Sequence, residues 1–313
     1  MMASGENTLP IIEIQQLKKR FGTITALDGI DLHIYPGEIF GLIGPDGAGK
    51  TTLIRILCTL LLPDAGRVQL LQHDVVHDVQ SIRRFLGYMP QRFSLYPDLT
   101  VEQNLNFFAD LFQVPPSIRQ QRIQQLYHFS RLEPFKNRPT RALSGGMKQK
   151  LALSCAMIHT PKILILDEPT TGVDPLSRQE FWHILHQIRE GGTTVLVSTP
   201  YMEEADQCDR VGLMYRGKLI VVDTPQRVRQ RFPYPLYRVW GQDTYALREF
   251  FQNLETVHSV HLFGDALHVA FTQPPVPSDW KHWQLTSHQQ IIRWQPIEAS
   301  VEDVFLEMME AHS

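Results

Sequence analysis

One stretch restricts the fold of this chain more than any other: GLIGPDGAGKTTLIRIL, residues 41–57. An apolar strand pattern at Ile39–Ile43 leads into G-x-x-x-x-G-K-[ST], and a helical pattern follows at Thr51–Leu57. Glycines let the backbone wrap around a phosphate chain so that successive N–H groups point inward, and the positive end of the helix dipole adds to the attraction. The sequence therefore predicts a strand, a phosphate-binding loop and a helix, in that order.

The phosphate-binding loop supplies the first candidate ligands, for ATP and Mg²⁺. We expect Lys50 to reach the β- and γ-phosphates, and the Thr51 hydroxyl to ligate Mg²⁺. The competing interpretation is a glycine turn before a helix, but chance produces the full pattern in only roughly 1% of chains of this length. The predicted nucleotide-binding residues are Gly44, Pro45, Asp46, Gly47, Ala48, Gly49, Lys50, Thr51 and Thr52.

A second segment, KILILDEPTTGVDP, brings two carboxylates to the end of an apolar strand pattern. Burying Asp167 and Glu168 there is costly unless they meet a cation or a reacting water. Asp167 suits the coordination shell of Mg²⁺, and Glu168 suits the general base that polarises the attacking water. Taken alone, such a pair is more often a helix cap, but after a phosphate-binding loop we favour the catalytic interpretation.

A third segment, LSGGMKQK at residues 143–150, directly precedes a helical pattern. Ser144 can cap that helix, while Gly145 and Gly146 permit the backbone to approach an anion closely. In isolation, a simple helix cap is the better interpretation. Because the Asp167 segment follows shortly afterwards, we predict that Ser144, Gly145 and Gly146 bind nucleotide.

The order of strand and helix patterns predicts an α/β domain followed by a small α+β appendage. The first residues carry turn signals typical of antiparallel strands, and strand signals vanish between Tyr96 and Met157, where three helices are predicted. The appendage is predicted to begin with a strand after a proline-rich linker, a helix at Tyr245–Leu254 and a hairpin that turns at Gly264-Asp265. A polar loop at 272–280, a strand near Ile291–Trp294 and a helix at Val301–Met309 are predicted to follow.

In this order, Gly44–Thr51, Leu143–Gln149 and Ile163–Glu168 resemble the motifs of an ATP-binding-cassette (ABC) nucleotide-binding domain. The resemblance implies a P-loop NTPase fold with a mixed sheet, an antiparallel N-terminal part and a helical subdomain. It also implies two cassettes paired head to tail, with each ATP held between one phosphate-binding loop and the other cassette's LSGG segment. The expected domains are a disordered N-terminus at 1–10, the cassette at 11–231 with its helical subdomain at about 96–158, and the C-terminal accessory α+β domain at 232–313.

Three further residues receive roles from the resemblance alone. Gln91 resembles the glutamine that contacts Mg²⁺ and responds to the membrane subunit, and Asp174 resembles the aspartate that crosses the dimer interface. Phe21 resembles the aromatic residue that stacks on adenine, although a core position at a strand end is the alternative. The predicted catalytic residues are then Glu168, Lys50 and Gln91, and the predicted metal ligands are Thr51, Gln91 and Asp167.

The segment TTVLVSTPYMEEADQC departs from the family pattern at one position. The family places a histidine after the Ser-Thr pair, where its imidazole contacts the γ-phosphate and the catalytic water. Pro200 stands there instead, and Ser198 and Thr199 could substitute only through their hydroxyls. Losing such a group costs about 10²–10⁴ in rate. We therefore expect this site to bind ATP but hydrolyse it slowly, and we prefer a partner cassette that carries the histidine to a homodimer.

The final segment, PIEASVEDVFLEMM, resembles the end of cassettes that serve ABC-2-type exporters, the drug and lipid efflux branch. The resemblance implies an ATPase subunit at the cytoplasmic face of the inner or plasma membrane, with separate ABC-2-type permease subunits. Phe93, Leu95 and Tyr96 are the candidate docking residues. Two alternatives stay open, namely a non-hydrolysing regulatory cassette of a heterodimeric exporter and a soluble cassette ATPase that is not coupled to a membrane.

Composition sets the remaining limits. The net charge of −3 gives no reason to expect a nucleic-acid partner. Cys58, Cys155 and Cys208 lack C-x-x-C spacing, so we expect neither a disulfide nor a zinc framework. The first ten residues lack a signal-peptide pattern, and no apolar run approaches the ~18 residues of a membrane span, so a cytosolic chain is expected.

Overall fold

The structure is a computed structural model, and it describes residues 9–92, 95–287 and 291–311. Most of the predicted disordered N-terminus (residues 1–8) and Phe93 lie outside the described residues. Internal contacts divide the chain into two units, one that ends at Pro225 and one that begins at Gln226. No helix within the described ranges is long and apolar enough to cross a membrane.

Among the described residues of the first unit, ten strands form two sheets. The strands are β1 (Ile12–Phe21), β2 (Ile24–Ile34), β3 (Ile39–Ile43), β4 (Ala65–Leu70), β5 (His73–Asp74), β6 (Leu86–Met89), β7 (Ile163–Asp167), β8 (Thr194–Thr199), β9 (Arg210–Tyr215) and β10 (Lys218–Asp223). One sheet is antiparallel, with the order β2-β1-β4-β5, and the other has the order β10-β9-β3-β8-β7-β6. All pairs in the second sheet except β9–β10 are parallel. The predicted α/β class is confirmed, and the antiparallel N-terminal strands form a sheet of their own.

The three central strands of the six-stranded sheet are buried along their whole length, which explains their uninterrupted apolar sequences. These are β3, β7 and β8, and the strands predicted before the phosphate-binding loop and before Asp167 are confirmed. The helices of this unit are α1 (Lys50–Leu57), α2 (Val79–Phe85), α3 (Val101–Leu111), α4 (Pro116–Ser130), α5 (Gly145–Met157) and α6 (Pro175–Glu190), and α7 (Pro225–Arg229) begins at its last residue.

The helical segment between β6 and β7 is organised around one buried amide, that of Asn104. Its nitrogen lies 2.9 Å from Thr140 Oγ1 and 3.1 Å from the Tyr96 carbonyl oxygen, and its oxygen accepts the Tyr96 N–H at 3.0 Å. Thr100 begins α3 with a capping box. The three helices predicted for this segment are confirmed, and their ends differ from the prediction by at most two residues.

The second unit is an antiparallel sheet with helices, as predicted for the appendage. Its elements are β11 (Leu236–Trp240), α8 (Thr244–Gln252), β12 (Val257–Phe263), β13 (Ala266–Phe271), α9 (Pro277–Thr286), β14 (Arg293–Ile297) and α10 (Val301–Ala311). The strand order is β12-β13-β11-β14. The hairpin between β12 and β13 turns at Gly264, where φ is +59°, so that prediction is confirmed. The strand predicted at Ile291–Trp294 is displaced, because pairing with β11 begins at Arg293.

The polar loop predicted at 272–280 is wrong from Pro277 onward, because α9 begins there. Proline is compatible with the first position of a helix, and the Asp279 carboxylate accepts the N–H of Val276 at 2.9 Å. Trp280 and Trp283 lie one turn apart and bury the inner face of α9 in an aromatic core. With only two apolar anchors among prolines and polar residues, the sequence shows no helical periodicity.

Three histidines of the β12–β13 hairpin face three acidic residues on one side of α10. The pairs are His268 with Asp303, His258 with Glu307 and His261 with Glu310, at nitrogen–oxygen distances of 2.8, 3.0 and 3.7 Å. The acidic residues are four and three positions apart, which is the spacing of one helix face. Burial raises the pKa of Asp303, but hydrogen bonds from His268 and Ser300 outweigh it and lower the pKa overall.

We expect Asp303→Asn to weaken the attachment of α10. The change leaves buried His268 without its anion, which costs about 1–3 kcal/mol. Because the folded chain lowers the pKa of Asp303, the stabilisation is complete above the unfolded-state pKa of about 4 and is lost as the pH falls through the folded value. Hydrogen-exchange protection of α10 should therefore be lower in the variant at pH 7 and equal to that of the parent chain in strong acid.

Glu310→Gln is the matched control, since this carboxylate is largely exposed and its pair with His261 is longer. An exposed pair contributes roughly 0–1 kcal/mol, so protection of α10 should change little. Equal protection of α10 in Asp303→Asn and in the parent chain at pH 7 would contradict the role of Asp303 in attaching this helix.

Candidate functional site

The carboxyl ends of β3, β7 and β8 meet at one edge of the six-stranded sheet. Ile43 of β3 pairs with Thr199 of β8, and Asp167 of β7 pairs with Ser198. The phosphate-binding loop, the Asp167 segment and the segment with Pro200 each follow one of these strands. Parallel pairing therefore brings three distant sequence segments to one place, the usual position of ligands in such sheets.

Two glycines of the phosphate-binding loop stand where no side chain fits. A Cβ atom on Gly44 would lie 2.2 Å from the Met214 carbonyl oxygen, and one on Gly49 would lie 2.5 Å from that of Ala26. Gly49 also has a φ of +108°, in the region that glycine alone adopts readily. The tip of the loop, with Gly47, is exposed, and α1 begins immediately after it. This backbone suits a phosphate chain, which can approach N–H groups at a helix N-terminus.

Lys50, the first residue of α1, directs its ammonium group back along the loop. Nζ donates to the carbonyl oxygens of Gly44 at 2.8 Å and Pro45 at 3.1 Å, and it lies 3.2 Å from Glu168 Oε1. The side chain is 3% exposed, so its charge is compensated by Glu168 rather than by water. The structure thus joins two of the three predicted catalytic residues in one ion pair.

Asp167 is buried and unevenly hydrogen-bonded. Its Oδ1 accepts the hydroxyls of Ser198 at 2.8 Å and Thr51 at 3.2 Å, while Oδ2 has no hydrogen-bond partner within the described ranges. Burial raises the pKa of Asp167, and the two hydroxyl donors oppose that rise. A buried carboxylate oxygen without a partner, next to a threonine hydroxyl, is a donor set that fits Mg²⁺, a cation that prefers oxygen ligands.

Glu168 is held in an unusual backbone conformation, with φ at +51°. Its N–H contacts the carbonyl oxygen and the hydroxyl of Ser198, at 3.2 and 3.0 Å. Gln91, just after β6, donates from Nε2 to Glu168 Oε2 at 2.8 Å. The three predicted catalytic residues therefore meet at one carboxylate, with Lys50 on one oxygen and Gln91 on the other.

Pro200 lies directly after β8, at the position where the resemblance leads one to expect a histidine. Thr199 Oγ1 accepts the N–H of Tyr201 at 3.1 Å. A 3₁₀ turn, Met202–Gln207, follows Tyr201, and the Arg178 guanidinium lies 4.3 Å from the Tyr201 ring centroid. Pro200 itself offers this edge of the sheet neither a polar side chain nor an N–H.

The LSGG segment begins α5, as its sequence predicts. Ser144 Oγ accepts the Met147 N–H at 3.3 Å and caps the helix. Gly145 faces open space, whereas a Cβ atom on Gly146 would lie 2.7 Å from Ser177 Oγ. Within the described ranges no hydrogen bond joins these three residues to the phosphate-binding loop, so the structure does not bring this part of the predicted nucleotide site to the rest.

Phe21 and Asp174, assigned from the resemblance, are both accessible. Phe21 ends β1 and is 48% exposed, and the Lys19 ammonium lies 5.5 Å from the ring centroid. An exposed ring beside a cation has a face free for stacking. Asp174 caps α6, where it accepts the Ser177 N–H at 2.9 Å, and this bond lowers the pKa of Asp174.

Sequence reasoning considered Ser198 only as a substitute for the missing histidine. In the structure its hydroxyl donates to Asp167 Oδ1 and accepts the Glu168 N–H, so its one proton is already in use. The signal that could have revealed this is a hydroxyl at the end of an apolar strand. Its partner, however, depends on the register between β7 and β8, which the sequence does not show.

Comparisons with known proteins agree with this architecture. A family model described as "ABC transporter" matches residues 27–171. The probable multidrug ABC transporter ATP-binding protein YbhF of Escherichia coli (strain K12) is 45% identical over 219 residues, which are 70% of this chain and 38% of YbhF. The Nod factor export ATP-binding protein I of Ralstonia nicotianae is 34% identical over 307 residues, which are 97% of this chain and 95% of that protein.

A solved structure shares the fold of about two thirds of this chain. It is the dimer of the ATP-binding cassette MJ0796 in a post-hydrolysis state bound to ADP and Pi, with a TM-score of 0.62 and 26% identity. The match covers 68% of this chain and 98% of that one. The match to the Ralstonia protein extends over nearly the whole of both sequences, whereas this chain spans less than half the length of YbhF. This chain belongs to the ATP-binding proteins of ABC transporters, which are cassette ATPases.

Proposed function

We propose that this chain is the ATP-hydrolysing subunit of an ABC-2-type exporter, which drives efflux of drug- or lipid-like substrates through separate membrane subunits. The observation that carries the ATPase part is the meeting of Lys50 and Gln91 on the two oxygens of Glu168, at 3.2 and 2.8 Å. The export part is supported by the Ralstonia relative, named for Nod factor export, whose match includes the second unit.

In this proposal the residues at the strand ends divide the work. The loop backbone and Lys50 bind and orient the phosphates of ATP, while Thr51, Asp167 and Gln91 are the residues that would hold Mg²⁺. Mg²⁺, when bound, neutralises phosphate charge. Glu168 accepts a proton from the attacking water at a carboxylate oxygen, and the amide of Gln91 keeps that carboxylate in place.

Pro200 makes the proposed dimer asymmetric. Without the histidine, the site on this chain's own phosphate-binding loop orients the water poorly and turns over slowly. The intact Ser144–Gly146 segment would complete the ATP site of the other cassette, which Pro200 does not affect. The preferred assembly therefore pairs this chain with a cassette that carries the histidine.

We expect Pro200→His to raise steady-state ATP hydrolysis of the purified chain about tenfold or more, because an imidazole at this position can orient the water. The affinity for ATP should stay within about twofold of that of the parent chain, since the loop is unchanged. Lys50→Ala provides the background rate. If the parent chain already turns over as fast as Pro200→His, another group orients the water and the asymmetric dimer loses its main support.

We expect Phe21→Ala to weaken ATP binding about fivefold to a hundredfold and Phe21→Tyr to preserve it, because aromatic stacking on a base is worth about 1–3 kcal/mol. Inorganic tripolyphosphate, which has no base, should bind equally to both variants and to the parent chain. Ile24→Ala is the matched control, since Ile24 pairs with Phe21 and is exposed. Equal loss of ATP and tripolyphosphate affinity in Phe21→Ala would refute an adenine contact.

The specific alternative is a non-hydrolysing regulatory cassette, which Pro200 favours and the hydrogen-bonded Glu168 opposes. We expect detergent extraction of the tagged chain to recover a polytopic membrane protein. In the purified chain, we expect Glu168→Gln to lower the ATP turnover of the Pro200→His variant to the Lys50→Ala background. Turnover of Pro200→His that Glu168→Gln leaves unchanged would favour the regulatory cassette. Extraction of the chain without any membrane protein would instead contradict the exporter proposal.

A further inference from the structure

The hydroxyl of Ser198 has only one possible arrangement of hydrogen bonds. The Asp167 carboxylate can only accept and the Glu168 N–H can only donate, so Ser198 Oγ must donate to Asp167 Oδ1 and accept from Glu168. Ser198 is fully buried, so water does not compete for these bonds. One side chain of β8 therefore links Asp167, the last residue of β7, to Glu168, which follows it.

The first consequence concerns the direction of the Asp167 carboxylate. The Ser198 and Thr51 hydroxyls, from β8 and α1, both donate to Oδ1. Rotation of the carboxylate would break both bonds. Oδ2, which has no partner in the described part of the chain, is thereby fixed as the oxygen that is available to a cation.

The second consequence concerns the backbone of Glu168. A φ of +51° is unfavourable for a residue with a Cβ atom, so it needs support from neighbouring contacts. Both oxygens of Ser198, the carbonyl and the hydroxyl, accept the Glu168 N–H. This conformation turns the side chain toward Lys50 and Gln91, at 3.2 and 2.8 Å.

We propose that Ser198 is a positioning residue that fixes Asp167 for Mg²⁺ and Glu168 for the attacking water. The inference rests on the proposed ATPase function and names the residue that connects its two carboxylates. It also explains why Ser198 does not replace the missing histidine, because its only hydroxyl proton is already donated to Asp167 in a hydrogen bond. The role predicts a defect in the use of Mg²⁺ rather than a general loss of nucleotide binding.

The test measures the affinity for ATP in EDTA and during titration with Mg²⁺. Ser198→Ala should raise the Mg²⁺ concentration that gives half of the maximal change in ATP affinity about tenfold to a hundredfold. This is the usual range when a hydrogen bond to a metal ligand is lost. The affinity in EDTA should stay within about twofold of the parent value. Ser198→Cys, of similar shape but with a weakly hydrogen-bonding thiol, should behave like alanine, and Ser198→Thr should restore the parent value.

Thr194→Val is the matched control on the same strand. Its buried hydroxyl accepts the Gly37 N–H at 2.9 Å at the other end of β8, so the variant loses a comparable bond far from the carboxylates. It should leave the Mg²⁺ requirement unchanged, even if thermal unfolding shows a similar loss of stability. At saturating Mg²⁺, Ser198→Ala in the Pro200→His chain should lower kcat with little change in KM for ATP.

Three results would overturn the role of Ser198: an unchanged Mg²⁺ requirement in Ser198→Ala, an equal loss of affinity in EDTA, or the same shift in Thr194→Val. If Mg²⁺ does not change the ATP affinity of the parent chain, both the proposed ATPase function and this inference are overturned. A parent chain that responds to Mg²⁺ while Ser198→Ala responds identically would overturn the inference alone.

Discussion

The rest of the cassette depends on the burial of two adjacent carboxylates at the end of β7. Asp167 and Glu168 are 1% and 7% exposed, and such burial is unfavourable unless charge or hydrogen bonds compensate for it. Lys50 compensates Glu168, and the hydroxyls of Thr51 and Ser198 compensate Asp167. Lys50 and Thr51 begin α1, after the loop that follows β3, and Ser198 lies near the end of β8, so the compensation exists only when the three strands are neighbours. The charges of the site are therefore compensated only when the central sheet has this strand order.

The same requirement limits what can replace the missing histidine. The Ser198 hydroxyl donates its proton in a hydrogen bond to Asp167, and the Thr199 hydroxyl oxygen accepts the Tyr201 N–H. Of these two hydroxyls, that of Thr199 has no acceptor for its proton among the residues that the structure describes. Thr199 pairs with Ile43 at the start of the phosphate-binding loop, and its hydroxyl also accepts the N–H of Tyr201, directly before the 3₁₀ turn, so its position is tied to both segments.

The sequence predicted what is local and missed what depends on register. The phosphate-binding loop and β7 follow from runs of neighbouring residues, and the fold class follows from their order. The place of Ser198 depends on the pairing of Asp167 with Ser198 between strands far apart in the chain. Helix α9 was missed because its buried face consists of Trp280 and Trp283 alone, so tertiary packing rather than periodicity creates it. In the separate antiparallel sheet, β1–β2 and β4–β5 are pairs of consecutive strands, and only the pairing of β1 with β4 joins distant segments.

The C-terminal segment that suggested the exporter branch has a structural explanation. Ser300 and Asp303 cap α10 through reciprocal hydrogen bonds, and Asp303 also pairs with His268 in the hairpin. This part of the segment therefore attaches the last helix to the sheet of the second unit. Its sequence is constrained by that attachment, and the constraint says nothing about the exported substrate. The proposal of export consequently rests more firmly on the relative that matches both units than on the tail segment by itself.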